Sequence, residues 1–251
     1  MFIDIHSHII PGVDDGPETL DISLRMLRRA AATGIRAVVA TPHVLDRPSP
    51  SWEQSVISRF QDLVEAVITE RLDIDIFLCS ELFFQFGMEE LVEWPIGSYR
   101  GMGVYSIVEP PMSHYPGSFE QVMNSLIARG KKMIFAHPER IHPLLGDIER
   151  IAALVRNGML MQVSSGSLLG DFGRRVEAFA WKLLDNGLAH FIASDAHDPI
   201  DRTFNLEKAW NMVHDRCGRE HAELLFFTNP FHVLFAEEVE YMQPVPFPGE
   251  R

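Results

Sequence analysis

The sequence predicts an α/β fold of parallel strands, a barrel or barrel-like sheet, with a doubly wound open sheet as the alternative. Two observations predict it: short apolar runs alternate with longer amphipathic stretches, and glycines stand where helical patterns hand over to the next run. The runs are Phe2–Ile5, Ala37–Ala40, Ile74–Cys79, Val104–Val108, Met133–Ala136, Leu160–Val163 and His190–Ala193. Each has the length and β-branched content of a buried strand. In the first helical stretch Leu20, Leu24, Leu27 and Ala31 recur at spacings of four, three and four, and Pro17 suits the first turn. Gly34, Gly130, Gly158 and Gly187 fit helix C-caps. Strand, helix, glycine, strand is the βα pattern, and parallel strands follow from it. From about Thr203 onward the pattern reads as extra helices, ending in a Pro-rich, frayed segment with Pro244, Pro246 and Pro248.

At 251 residues the chain suits one large domain, assigned to residues 1–240 with 241–251 as a tail, and its 46% apolar content supplies a sizeable core. No apolar run approaches the roughly 18 residues of a spanning helix. The opening MFIDIHSHII lacks the basic stretch and cleavage site of a leader, so a cytoplasmic protein, not embedded in a membrane, is expected. Cys79 and Cys217 read as reduced structural thiols. A net charge of −13 with no basic stripe argues against nucleic acid as a partner. Bound divalent cations would offset part of that excess.

The polar residues gather at one end of the predicted strands. The first strand runs into His6-Ser7-His8, two imidazoles that an extended segment points to the same side, and Asp15 follows in the next loop. The later strands end at Thr41-Pro42-His43, Ser80-Glu81, Val108-Glu109, Ala136-His137 and Ser194-Asp195-Ala196-His197. In parallel α/β folds the C-terminal strand ends share one face, where active sites form. Five imidazoles and four carboxylates, His6, His8, Asp15, His43, Glu81, Glu109, His137, Asp195 and His197, exceed what one ion needs, so two or three divalent ions are expected. Mixed imidazole and carboxylate donors without thiolate suit Mn, Fe or Zn. Arg140, three residues after His137, and Arg202, five after His197, offer planar forks that match phosphate oxygens. Of the remaining histidines, His190 begins a strand at the wrong end, His214, His221 and His232 lie on the C-terminal helices, and His114 and His142 sit in loops on the active-site side.

Taken together, His6-Ser-His8, Asp15, Thr-Pro-His43, Glu81, Glu109, Ala-His137-Pro-Glu-Arg140 and Ser-Asp195-Ala-His197 resemble the PHP (polymerase and histidinol phosphatase) superfamily. More narrowly, over roughly residues 1–236 the chain resembles the bacterial capsule and exopolysaccharide tyrosine phosphatases of the CpsB/CapC/YwqE type. The resemblance implies a distorted (β/α)7 barrel holding three divalent ions, manganese foremost with iron or zinc next. By position, His6, His8, Glu81 and Asp195 would hold one ion. Glu81 would bridge to a second, also held by Glu109 and His137. Asp15, His43 and His197 would hold the third, and Arg140 and Arg202 would bind phosphate. Tyr241–Arg251 lies outside the resemblance.

The activity implied is hydrolysis of phosphotyrosine by in-line attack of a metal-bridging hydroxide. The implied partner is a phosphotyrosine protein, the tail of a membrane-associated tyrosine kinase of polysaccharide export. A tyrosine leaving group, with a pKa of about 10, departs with little help from a general acid. The thiol-phosphatase route requires Arg six residues after Cys, and Gln85 and Glu223 stand there instead. The rival readings are a PHP phosphatase for a small phosphomonoester such as histidinol phosphate, a nuclease, and a catalytically silent kinase regulator. The acidic balance weighs against the second, and the complete ligand set against the third.

Overall fold

The computed structural model describes residues 1–45 and 48–241; the rest of the expected C-terminal tail, 242–251, lies outside the described residues. The elements are β1 (Phe2–Ser7), α1 (Leu20–Ala32), β2 (Ile35–Ala40), β3 (His43–Val44), α2 (Pro50–Thr69), β4 (Asp75–Leu78), β5 (Glu81–Phe83), α3 (Met88–Leu91), β6 (Tyr105–Glu109), α4 (Phe119–Ala128), β7 (Lys132–Ala136), α5 (Ile148–Arg156), β8 (Leu160–Ser164), α6 (Ser165–Leu169), α7 (Arg174–Asp185), β9 (Phe191–Ala193), α8 (Leu206–Cys217), α9 (Arg219–Glu223) and α10 (Asn229–Phe235). It is an α/β fold in which every strand pairing is parallel.

The strands form a three-stranded sheet, β1-β2-β4, and a six-stranded one, β3-β5-β6-β7-β8-β9. All seven predicted apolar runs are strands. The two additional strands arise because the second and third runs each continue past a break. Pro42, which has no N–H to donate, interrupts the β2–β3 line. Its carbonyl still accepts from the Glu81 N–H at 3.1 Å, and Cys79 N–H donates to Ala40 at 2.9 Å, so the chain steps from one sheet into the other without losing pairing. At the far edge β9 returns to β1: Asp195 N–H donates to the His6 carbonyl at 2.9 Å and His8 N–H to that of Ala196 at 2.8 Å.

Alternate strand residues feed two apolar cores. Ile5, Val39, Ile107, Ile134, Leu160 and Phe191 point to a core enclosed by the strands. Val38, Leu82, Val108, Phe135, Met161 and Ile192 point outward to one shared with the helices. Burial on both faces is why these strands read as continuous apolar runs. The predicted glycine caps hold: Gly34, Gly130, Gly158 and Gly187 take φ of 88°, 86°, 94° and 64°.

The first helix differs from expectation at its start. Pro17 lies before it, and Thr19 is the N-cap, its side chain accepting from the Ile22 N–H. Leu20 is therefore in the exposed first turn, and the buried stripe runs through Leu24, Met26, Leu27 and Ala30. The C-terminal helices pack beneath the strands: Phe226 meets Phe2 edge-on at 6.2 Å, and Arg100 donates to the Leu234 carbonyl. Among the described residues no helix is long and apolar enough to cross a membrane.

Candidate metal centre

All nine predicted ligand residues meet at the C-terminal ends of the strands. Glu81 stands at the centre. Its Oε2 lies 3.2 Å from His6 Nε2, 3.5 Å from His8 Nε2 and 2.9 Å from His43 Nδ1, and its Oε1 lies 3.1 Å from His137 Nε2. Glu109 Oε1 is 3.7 Å from His137 Nε2. On the other side Asp15 Oδ1 approaches His197 Nε2 at 3.3 Å and His43 Nε2 at 3.5 Å. Asp195 Oδ1 faces His8 and His6 at 3.5 and 3.7 Å.

The backbone is strained where it presents these groups. His137 and Asp195, neither of them glycine, take left-handed φ of 34° and 54° just past β7 and β9. Such conformations cost of order 1–3 kcal/mol each and persist where the surroundings impose them. At Asp195 the imposing contact is the hydrogen bond to the His6 carbonyl; at His137 it is the one donated to the Gln162 carbonyl at 2.8 Å. The loop after β1 folds back so closely that a Cβ on Gly16 would meet the His8 carbonyl oxygen at 2.7 Å, so only glycine fits there.

Electrostatics suits metal ligation. Burial opposes ionisation of Glu81, but the His6, His137 and His43 imidazoles outweigh it and hold the carboxyl well below its usual range. Burial, reinforced by the negative charge of Glu81, pushes Glu109 up to about 7. Burial and then the Arg140 charge push His137 down to about 4, leaving a neutral imidazole with a lone pair to give. His8 differs: burial would lower it, but its carboxylate neighbours Asp14, Asp195 and Glu81 raise it well above normal, so its proton would have to be displaced before Nε2 could ligate a cation.

The residues fit bound divalent cations on geometric grounds. Glu81 Oε2, His43 Nδ1 and His197 Nε2 are buried yet make no hydrogen bond, although Glu81 Oε2 and His43 Nδ1 are only 2.9 Å apart. Imidazole nitrogens and carboxylate oxygens that crowd together without well-aligned hydrogen bonds are arranged for a cation. Among the described residues, three groups bring ligand atoms within 4.8 Å of one another: His8 with Asp15, His43 and His197; His6 with His8 and Glu81; and His43 with Glu81 and Glu109. These overlap the three sets expected from sequence, but His8 and His43 each reach a second set, and Asp195 and His137, expected in the first and second sets, belong to none of the three groups.

Both predicted arginines adjoin the cluster. Arg140 donates from Nη1 to Asp195 Oδ2 at 2.5 Å, and Arg202 from Nη2 to the same oxygen at 2.7 Å. One carboxylate thus faces the imidazoles with one oxygen and anchors both guanidiniums with the other. Arg202 Nε is buried with no partner, a free donor. Asp15, His43, Glu109, His137, Asp195 and both arginines line a cleft of about 820 Å³ whose remaining wall includes Val13, Leu45, Trp52 and Met112. His114 and His142 are not among its lining residues.

Several contributors escape sequence reasoning. Asp14, beside the predicted Asp15, accepts from His8 Nδ1 at 2.7 Å and from the His43 and Gly16 N–H groups at 3.0 Å each, fixing the His8 tautomer. Gln162 Oε1 does the same for His6 Nδ1 at 2.8 Å. Asp4, pushed by burial up to about 6, ties β1 to β9 by accepting from Ser194 N–H at 3.0 Å. The adjacency of Asp14 to Asp15 was a visible signal; nothing in the sequence marks Gln162.

Comparison with known proteins places the chain in a family. The family model "Capsular polysaccharide synthesis, CpsB/CapC" matches residues 2–235. Tyrosine-protein phosphatase YwqE of Bacillus subtilis is 31% identical over 250 residues, covering 99% of this chain and 97% of that protein. A solved structure from work on YwqE and on CpsB of Streptococcus pneumoniae, described as metal-dependent tyrosine phosphatases, superposes with a TM-score of 0.87 at 30% identity, over 97% of this chain and 99% of that one. A phosphotriesterase homology protein from Escherichia coli shares the fold, with a TM-score of 0.59 at 12% identity over 93% of this chain and 98% of that one. With a family match over nearly its whole length and a closely similar fold, the chain belongs to the CpsB/CapC family of capsular polysaccharide synthesis.

Proposed function

We propose that this chain is a metal-dependent protein-tyrosine phosphatase built as a single domain over residues 1–240, a distorted (β/α)7 barrel with extra C-terminal helices. The observation that carries the reading is the juxtaposition of the nine-residue ligand cluster with two guanidiniums on one Asp195 oxygen, beside a cleft lined by five of those ligands and both arginines. It is supported by relatives named tyrosine-protein phosphatases.

His6, His8, Glu81 and Asp195 would hold one divalent ion, Glu81, Glu109 and His137 a second, and Asp15, His43 and His197 a third. Manganese is the first candidate and iron or zinc the next; hard and borderline donors without thiolate suit all three. When bound, such ions activate water as a nucleophile and neutralise charge on a transferring phosphoryl group. The chain's own residues do the rest. Asp14 and Gln162 hold His8 and His6 with their Nε2 lone pairs facing the cluster. Arg140 and Arg202, anchored through Asp195, present their remaining N–H donors to phosphoryl oxygens. A phenolate leaves without a dedicated acid, which suits a cleft where the carboxyl groups face the ligand cluster.

The proposed substrate is a phosphotyrosine protein, the tail of a membrane-associated kinase of polysaccharide export. Two free cysteines are in keeping with the reducing cytoplasm. The test is metal analysis of the purified protein, paired with assays on a phosphotyrosine peptide and histidinol phosphate before and after chelation. Bound metal, preference for the peptide, loss of turnover in chelator and its return with Mn are expected. Full activity with metal removal verified would overturn the metal mechanism. Preference for histidinol phosphate would overturn the substrate assignment.

A further inference from the structure

One aromatic ring beside the cluster has no part in holding metal. The guanidinium carbon of Arg140 lies 4.2 Å from the centroid of the Phe172 ring. The same guanidinium is held from its edge by Asp195. Its head group is therefore clamped twice, face and edge. A flexible arginine loses its rotational freedom by such contacts before any ligand arrives.

The loop carrying Phe172 is shaped for the contact. It joins α6 to α7 and is flanked by Gly170 and Gly173 at φ of 84° and 90°. A Cβ on Gly166 would lie 3.2 Å from Phe172 Cε2 and 3.0 Å from Asp171 Oδ2, so a bare glycine in α6 leaves the ring its room. The loop is tied down as well: Asn205 Nδ2 donates to Asp171 Oδ2 at 3.5 Å, and Ser165 Oγ donates to Asn205 Oδ1.

We propose that Phe172 is a positioning residue for phosphate recognition: its ring face sets the plane of the Arg140 guanidinium, so that the N–H groups not used by Asp195 face the cleft. The inference rests on the reading of Arg140 as a phosphate ligand. An aromatic face attracts a cation through its quadrupole, and a planar guanidinium stacks on it where an aliphatic side chain of equal bulk only fills space.

A double-mutant cycle separates the possibilities. Phe172→Ala, Phe172→Leu, Phe172→Tyr, Gly166→Ala, Arg140→Ala and the Phe172→Ala/Arg140→Ala pair are compared. For each, kcat and KM for p-nitrophenyl phosphate, inhibition by inorganic phosphate and bound metal are measured on the same preparation. Phe172→Ala should lower kcat/KM and weaken phosphate inhibition about three- to thirty-fold with metal content unchanged. Phe172→Leu should share that defect, and Phe172→Tyr should stay within about twofold of wild type because it keeps the ring face. Gly166→Ala, whose methyl crowds Phe172 Cε2 and displaces the ring, should resemble Phe172→Ala. In the Arg140→Ala background, Phe172→Ala should change nothing further, since there is no guanidinium left to orient. Additive losses in the double variant, full activity in Phe172→Leu, or loss of metal in Phe172→Ala would each overturn the positioning role. If Arg140→Ala is impaired while Phe172→Ala is not, only the positioning inference falls. If Arg140→Ala is itself wild-type, the phosphate reading of Arg140 falls with it.

Discussion

Replacing Arg140 or Arg202 with alanine is the most direct probe of the reaction site. A unit charge about 4 Å from another, at an effective dielectric near 20, contributes about 4 kcal/mol. Here the two guanidiniums share one carboxylate oxygen, at 2.5 and 2.7 Å, so the anion they jointly neutralise already cancels about half of their combined charge. That leaves about 2 kcal/mol each, or roughly thirtyfold in kcat/KM. The two should differ. The Arg140 side chain is 15% exposed and stacked, whereas that of Arg202 is 33% exposed and more open to screening by water. Arg140→Ala should therefore fall nearer a hundredfold and Arg202→Ala nearer tenfold, within the scale of losing one donor to a developing charge. Metal content should stay near normal in both, because guanidinium has no lone pair to give. Assays with p-nitrophenyl phosphate and metal analysis on the same samples decide. Wild-type kinetics in both variants would refute the phosphate pocket. Loss of metal would instead make the arginines supports for Asp195.

Three further outcomes are expected. Asp14→Asn should weaken metal affinity about 10- to 100-fold, since the carboxylate that fixes the His8 tautomer is lost; unchanged affinity in a competition titration against a chelating dye would remove Asp14 from the site's support. Orthovanadate should inhibit weakly, and Cys79→Ser and Cys217→Ser should keep wild-type turnover, because burial pushes the Cys79 thiol up to about 12 and Cys217 is raised as well, leaving no thiolate nucleophile; potent inhibition that vanishes in either serine variant would contradict this. His190, buried and pushed down from 6.5 to about 4, accepts from the Met161 N–H as a neutral ring. The unfolded chain takes up that proton first, so stability is fully present above pH 6.5 and about 3 kcal/mol is lost as pH falls toward 4. Chemical denaturation of His190→Gln against wild type should show a shallower acid loss over that window, and identical slopes would disprove the assignment.

The strands and the chemistry at their ends were legible in the sequence because both are local. A buried parallel strand must be apolar on both faces, so Met133–Ala136 or His190–Ala193 stands out as a short run. The ligand that follows it, His137 or Asp195, is displaced by only a residue or two. Glycine after a helix records a left-handed backbone that other residues resist, so the helix ends were legible too. The start of α1 was not: Pro17 suits a first turn, but the bond from the Ile22 N–H to the Thr19 side chain starts the helix later.

What only the tertiary structure decided depends on contacts between distant segments. Pro42 breaks a strand line, but that the chain then continues in a second sheet follows from its pairing with Glu81. The central place of Glu81 among four imidazoles is a property of strands meeting in space. Gln162 lies 156 residues from the histidine it orients, and Asp195 turns one oxygen to the imidazoles and the other to Arg140 and Arg202 only because β9 closes on β1. Sequence spacing determined which residue types end each strand. The rotamers, shared oxygens and stacked ring that turn those ends into a site depend on side-chain directions, which packing alone selects.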